Sequence, residues 1–283
     1  MKERIAIVVL YNPNVEKLKK LNEKIYKNNF YTIFVDNSNE KTNTSFLKDG
    51  EIIFNNCNKG IASAQNIGLK RARELNFKKV VFFDQDTEIN DNLLKNLEKK
   101  LNSKMIIAPT IVNKKTKEEY FPQKINKFGI AKNVTAQEEF VDIVISSGMF
   151  TDREVIEKVG EFDESLFIDF VDIEWCLRAR KKGIIIKVDK ESVIEHMIGE
   201  DSIELNSKIN LVRHTSFRTY YKVRNSFLIF RKNLGIKFCM HQCLVALVHN
   251  FLLIFFVEKK VEYLKNYLLG VRDGLLNKSG SKK

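Results

Sequence analysis

Between Arg4 and Ile89 the chain alternates short apolar, β-forming runs with turn residues, and helical segments follow the turns; that repetition leaves few architectures open. Arg4 to Tyr11 reads as a buried strand ending at Tyr11-Asn12-Pro13-Asn14, where Asn14 is placed to cap the next helix. Tyr31 to Val35 leads into Asp36-Asn37-Ser38-Asn39, and Glu51 to Phe54 leads into Asn55 to Gly60 and a helix over about Ile61 to Leu75. Val80, Val81, Phe82 and Phe83 then run into Asp84-Gln85-Asp86. Strands that are apolar on both faces belong to covered parallel sheets, and a βαβ series joins such strands by right-handed crossovers. The predicted class is α/β, a mainly parallel Rossmann-like sheet flanked by helices.

Ligands of such sheets sit at the carboxyl ends of the strands. Asp84 and Asp86 stand there as hard oxygen donors suited to Mg2+ or Mn2+, with phosphate oxygens and water completing the shell. An isolated Asp-x-Asp is more often a solvated turn, so the motif gains meaning from a second acidic group, Phe162 to Arg178. From Phe170 the spacing there is helical, which puts Asp169 and Asp172 on one face and pairs Glu174 with Arg178. Taken singly, Asp169 or Asp172 reads as a stabiliser of the helix N-terminus. Taken with Asp84 and Asp86, a carboxylate held at a helix start suits a general base.

The ordered set Val9-Leu10-Tyr11-Asn12, Val35-Asp36-Asn37-Ser38, Asn58 to Gly68, Phe83-Asp84-Gln85-Asp86, Ser147-Gly148-Met149-Phe150, Phe167 to Arg178, Glu195 to Gly199 and Arg218 to Asn225 resembles the family 2 glycosyltransferases of GT-A fold, and within them bacterial rhamnosyltransferases. The resemblance spans roughly residues 4 to 232. It implies a nucleotide-sugar site built from Tyr11, Asn12, Asp36, Asn58, Asn66, Asp84, Gln85 and Asp86, with Asp86 and His196 as metal or phosphate contacts. Where many relatives carry a Glu-Asp pair this chain has Val171-Asp172, which leaves Asp172 as the implied base without its acidic neighbour, Asp169 as the residue to compensate for it, and Asp169 and Trp175 at the acceptor or sugar pocket. Arg218 and Arg224 are candidates to touch the diphosphate, against an equal alternative of a solvated basic face.

The implied reaction is an inverting transfer of a sugar, with dTDP-L-rhamnose as the expected donor and UDP-hexose or UDP-galactofuranose as alternatives, onto a cell-surface polysaccharide or lipid-linked glycan. A divalent cation would act as a Lewis acid on the leaving diphosphate. Two readings from other classes compete. A haloacid dehalogenase-type phosphatase also uses a strand-terminal Asp-x-Asp, but it wants Thr or Val where this chain has Glu88, and its motif opens the first strand. A non-catalytic membrane-binding protein leaves Asp172 without a task.

Lys and Arg total 48 against 36 Asp and Glu, a net charge of +12 that favours anionic partners. No nucleic-acid-binding signature accompanies it. Phe238 to Val257 carries no Asp, Glu, Lys or Arg and is flanked by Arg231, Lys232, Lys237, Lys259 and Lys260. Gln242 and His249 fall nearly on one face of that helix, so it is expected to lie partly on the domain and partly in the membrane interface rather than to span. The expected division is a catalytic domain over 1–228, a helical membrane-associating appendage over 229–276 and a disordered basic tail over 277–283. The scattered Cys57, Cys176, Cys239 and Cys243, with no apolar leader, predict a cytoplasmic protein on the inner face of the membrane.

Overall fold

The computed structural model describes residues 2–113, 119–120, 122–134, 139–196, 202–206 and 209–282. The first half is the expected β/α series: β1 (Arg4–Leu10), α1 (Val15–Lys27), β2 (Tyr31–Asp36), β3 (Gly50–Phe54), α2 (Ile61–Glu74), β4 (Lys79–Asp84), β5 (Glu88–Ile89) and α3 (Leu93–Lys100). Asn14 caps α1, its Oδ1 accepting the Lys17 amide at 3.1 Å. Parallel pairing runs β4-β1-β2-β3, in a register that sets Asp84 beside Val9 and Asp36 beside Leu10. The strand ends carrying Tyr11, Asp36 and Gln85 therefore share one edge.

The unbroken apolar runs are explained by two cores. Ile5, Ile7, Ile33, Val35, Val80 and Phe82 face one side, under α2. Ala6, Val8, Leu10, Phe34, Val81 and Phe83 face the other, under α1 and α3. Side chains alternate along a strand, so only a strand covered on both faces needs apolar residues at every position.

The second half continues the sheet with β6 (Met105–Asn113), β7 (Glu119–Tyr120), β8 (Gln123–Ile125), β9 (Ala131–Asn133), β10 (Phe140–Val141) and β11 (Phe150–Asp152). Then come α4 (Arg153–Val159), a 3-10 turn (Glu164–Leu166), α5 (Val171–Lys181), β12 (Ile185–His196), β13 (Ser202–Asn206) and β14 (Ile209–Val212). The main order is β10-β12-β6-β11-β4-β1-β2-β3. The sheet is mixed: β11 lies antiparallel between β4 and β6, while β12 returns parallel to β6. This antiparallel insertion carries Ser146 to Met149 to the end of β4.

Three helices close the chain: α6 (Ser216–Phe230), α7 (Ile236–Phe256) and α8 (Lys260–Leu275). The expected domain boundary between 228 and 229 falls inside α6, whose Tyr220 and Tyr221 pack with Phe167 in a core of the catalytic half. Glycines let α8 lie close against α6. A Cβ on Gly270 would come within 2.8 Å of the Tyr220 carbonyl oxygen, and one on Gly274 within 2.6 Å of the Phe227 ring.

Among the described residues α7 alone is long and apolar enough to cross a membrane, with a mean hydropathy of 1.8 and a third of its apolar window buried. Its polar side is turned inward. Asn250 Oδ1 lies 3.0 Å from His214 Nε2, and His249 stacks on His214. Met240, Leu244, Val248, Phe251 and Phe255, three or four residues apart, are exposed. Residues 277–282, expected as a disordered tail, are instead held against the domain: the Gly280 amide donates to the Ser165 carbonyl at 2.7 Å and the Lys282 amide to the Tyr221 hydroxyl at 2.8 Å.

Candidate active site

The nucleotide edge is assembled by polar latches between strand ends. The Tyr11 amide donates to Gln85 Oε1 at 2.7 Å, and Gln85 Nε2 returns a bond to the Tyr11 carbonyl at 3.1 Å, which ties the end of β1 to the turn after β4. The Asn12 amide donates to Ser38 Oγ at 2.7 Å. Asp36 is fully buried and accepts the Ser38 and Thr42 amides, each at 2.9 Å. These bonds hold its carboxyl below the ordinary value although burial opposes the ionised form. Tyr11 remains exposed at the rim, free to lie along a planar ring.

Asp84 ends β4, and its amide faces Ser147 Oγ at 3.4 Å. Ser147 Oγ is in turn 2.7 Å from Thr87 Oγ1. Asp84, Gln85 and Asp86 are all half-buried at this turn. Asp172 comes to the same place from α5. Its Oδ2 accepts the Ser146 amide at 3.1 Å rather than capping its own helix. Burial first, and the nearby Asp84 charge second, push the Asp172 carboxyl up to about 7. A carboxylate poised near neutrality beside a strand-end Asp has the property a general base needs.

Asp169 departs from the expected placement. It lies before the helix in the left-handed conformation, φ 62°, with Phe167 and Phe170 both at 64°, so it shares no helical face with Asp172. Each such residue costs about 1 kcal/mol or more and persists only where its surroundings enforce it. Arg218 grips Asp169 with two bonds, Nε to Oδ2 at 3.2 Å and Nη2 to Oδ1 at 2.5 Å. Burial would raise the Asp169 carboxyl, but the charges of Arg218 and Lys222 outweigh it and hold the carboxyl below its usual range. One carboxylate is thus kept ionised and paired, while its neighbour stands ready to change protonation.

Three sequence candidates, Trp175, Arg224 and Asn66, are buried and bonded within the domain. Trp175 is fully buried, stacks on Phe162 at 5.2 Å and donates from Nε1 to the Gly160 carbonyl, so it is core rather than a pocket wall. Arg224 is also fully buried and spends its guanidinium on the carbonyls of Ser165, Leu166 and Gly280, which leaves it no reach to a diphosphate. Asn66 clamps Phe162 through both its amide and its carbonyl. Asn58 closes a turn on the Gly60 amide at 2.9 Å. His196 ends β12, and its side chain lies outside the described residues.

Ser146, Ser147 and Asn225, which bond to Asp172, Asp84 and Asp169 respectively, were not singled out by composition. Ser147 stands in the Ser-Gly-Met-Phe stretch and Asn225 closes the Arg218 to Asn225 stretch, and that membership was their only signal. No group of three His, Cys, Asp or Glu side chains that could hold a metal occurs among the described residues.

Comparison with known proteins bears on the family and the fold. The family model described as Glycosyl transferase family 2 matches residues 6–160. The chain is 35% identical to the dTDP-rhamnosyl transferase RfbF of Shigella flexneri, over 97% of this chain and 96% of that one. It is 26% identical to the low-salt glycan biosynthesis hexosyltransferase Agl10 of Haloferax volcanii, over 99% of this chain and 94% of that one. Among solved structures, S. aureus TarS 1–349 in complex with UDP-GlcNAc shares the fold, with a TM-score of 0.57 at 15% identity over 96% of this chain and 80% of that one. Against the longer TarS structure the chain covers 49% of the length.

Proposed function

The chain belongs to glycosyl transferase family 2 and is a glycosyltransferase, and from that premise we propose that it transfers L-rhamnose from dTDP-L-rhamnose, with inversion, to a hydroxyl of a cell-surface or lipid-linked glycan. The donor assignment follows the rhamnosyl transferase relative, which aligns along nearly the whole chain. A UDP-hexose or UDP-galactofuranose donor is the alternative. The observation that carries the mechanism is Asp172, half-buried, raised toward neutrality and set beside Asp84 at the strand ends.

In this reading Tyr11 receives the base, the loop that Asp36 holds through the Ser38 and Thr42 amides lies beside the base and ribose, and Asp84 faces the ribose or sugar. Asp172 takes the proton from the acceptor hydroxyl as it attacks the anomeric carbon from the side opposite the diphosphate, so a single displacement inverts that centre. Enzymes of this family generally use a divalent cation. Two strand-end carboxylates suit a hard cation whose remaining ligands are diphosphate oxygens and water. Asp86 would hold it; the side chain of His196, the other metal candidate, lies outside the described residues. When bound, such an ion supplies positive charge to the leaving diphosphate. The test is a panel of dTDP- and UDP-sugars with and without Mn2+. Turnover of dTDP-L-rhamnose above the others, dependent on Mn2+, is expected; preference for a UDP-sugar would reassign the donor.

We further propose that the outward face of α7 rests on the inner surface of the cytoplasmic membrane, where a lipid-linked acceptor would be found. Met240, Leu244, Val248, Phe251 and Phe255 are exposed on that face, with exposed Lys237, Lys259 and Lys260 at its ends. An apolar face between basic flanks matches an anionic interface. Phosphatidylglycerol vesicles should bind the protein, and high salt should release much of it. Retention through an alkaline wash would point to a span, and absence of binding would remove the membrane from the account.

A further inference from the structure

The loop from Ser165 to Phe170, which leads into α5 and carries Asp169, is strained at Phe167, Asp169 and Phe170. The amide of Ile61 at the start of α2 donates to the Phe167 carbonyl at 2.8 Å, and the loop is held further from two directions. From α6, Asn225 Nδ2 donates to the carbonyls of Leu166, Ile168 and Asp169 at 2.9, 2.7 and 3.0 Å. Arg224 Nη2 adds bonds to Ser165 and Leu166, while the Asn225 amide oxygen accepts from Arg224 and fixes its plane. From the C-terminal segment, the Gly280 amide reaches the Ser165 carbonyl, and the Gly280 carbonyl accepts from Arg224 Nη1 at 2.5 Å. Tyr221 completes the stack. Phe167 lies on its ring at 4.9 Å, the Arg224 guanidinium lies 4.7 Å from its centroid, and its hydroxyl accepts the Lys282 amide.

We infer that residues 277–282 form a strap that, through Gly280 and Arg224, positions the strained loop so that Asp169 and Asp172 meet the substrate. The inference rests on the assignment of Asp172 to proton transfer. A buried arginine with every nearby acceptor a carbonyl or amide oxygen is costly unless fully bonded, and the strap supplies one of those acceptors. Arg224, Asn225 and Gly280 are positioning residues, since none reaches the reacting atoms. The Ser165 amide is tied to Asp163 Oδ1 at 3.1 Å, but its carbonyl is held by α6 only through the 3.2 Å contact from Arg224, and the strap adds the shorter bond of 2.7 Å from the Gly280 amide.

Gly280→Pro tests it, because proline has no amide hydrogen to give Ser165 and cannot adopt the φ of 75° found there. A chain ending at Ser279 is the second variant, and Lys278→Ala, which removes the exposed ammonium that pairs with the buried Asp273 and leaves Gly280 in place, is the control. Hydrogen exchange, dTDP affinity and dTDP-L-rhamnose turnover are read on all of them. Both strap variants should exchange the amides of 166–170 about tenfold faster and lose about tenfold in kcat, with KM for the donor and dTDP affinity within about twofold of the parent. Unchanged exchange at 166–170, faster exchange with unaltered kcat, or faster exchange spread over β1 and β4 with a lowered melting temperature would each overturn the strap. Exchange needs no donor, so a wrong donor assignment is recognised in the parent protein and leaves the strap test intact.

Discussion

Asp172→Asn should leave dTDP affinity nearly unchanged and lower turnover by about 10²-fold or more, the usual scale for removing a positioned general base. The asparagine keeps the size and an oxygen to accept the Ser146 amide. It cannot take a proton at neutral pH. The same carboxylate sets the pH dependence: with a value of about 7, kcat/KM should be full above neutrality and fall as pH drops through 7. Stability gives an independent sign. The folded-state value stands above the unfolded value of about 3.9, so the ionised group opposes folding above pH 7, and that cost fades as pH falls from about 7 toward 4. Asp172→Asn should therefore melt no lower than the parent at pH 8. A helix-start stabiliser would instead lose about 1 kcal/mol and keep its turnover. Asp169→Asn is the companion variant, expected to loosen Arg218 and the loop. A folded Asp172→Asn protein with near-normal transfer would falsify the assignment.

The parallel half of the fold was legible because its signals are local. β1, β2 and β4 are apolar at consecutive positions, α1 announces its start at Asn14, and Asp84 to Asp86 follow directly on an apolar run. The antiparallel β11 was not legible, since a strand of three residues has no period to detect. Residue type also misled where burial decides the task. Trp175, Arg224 and Asn66 are consumed by backbone partners 15, 56 and 96 residues away, and no spacing rule reaches that far. Asp169 looked helical because Asp169 and Asp172 fit a helical spacing; the left-handed turns at Asp169 and Phe170 depend on Asn225 and Arg218 from α6. The basic segment 277–282 has a composition typical of free tails. It is ordered by Ser165, Tyr221 and Arg224, all far away in sequence.

Asp86→Ala is expected to have the other large effect, on the donor side of the reaction. Asp86 lies in the turn between β4 and β5, half-buried and outside the apolar cores. That turn is tied down on either side of it, by Gln85 to the Tyr11 backbone and by Thr87 to Ser147. Losing the Asp86 carboxylate should therefore cost little stability. Its chemical loss is larger: a divalent cation at the diphosphate would lose its anionic oxygen ligand, and charge building on the leaving group would go less well compensated. Calorimetry of dTDP with and without Mn2+ should find that the metal strengthens binding to the parent and does so much less in Asp86→Ala. Transfer should fall by about 10²-fold or more, in keeping with the several kcal/mol that Lewis-acid stabilisation contributes. The two variants then separate the halves of the site: Asp172→Asn retains the metal effect on nucleotide binding and loses proton removal, while Asp86→Ala retains the acid limb near pH 7 and loses the metal effect. Equal metal enhancement in parent and Asp86→Ala would take the cation away from Asp86.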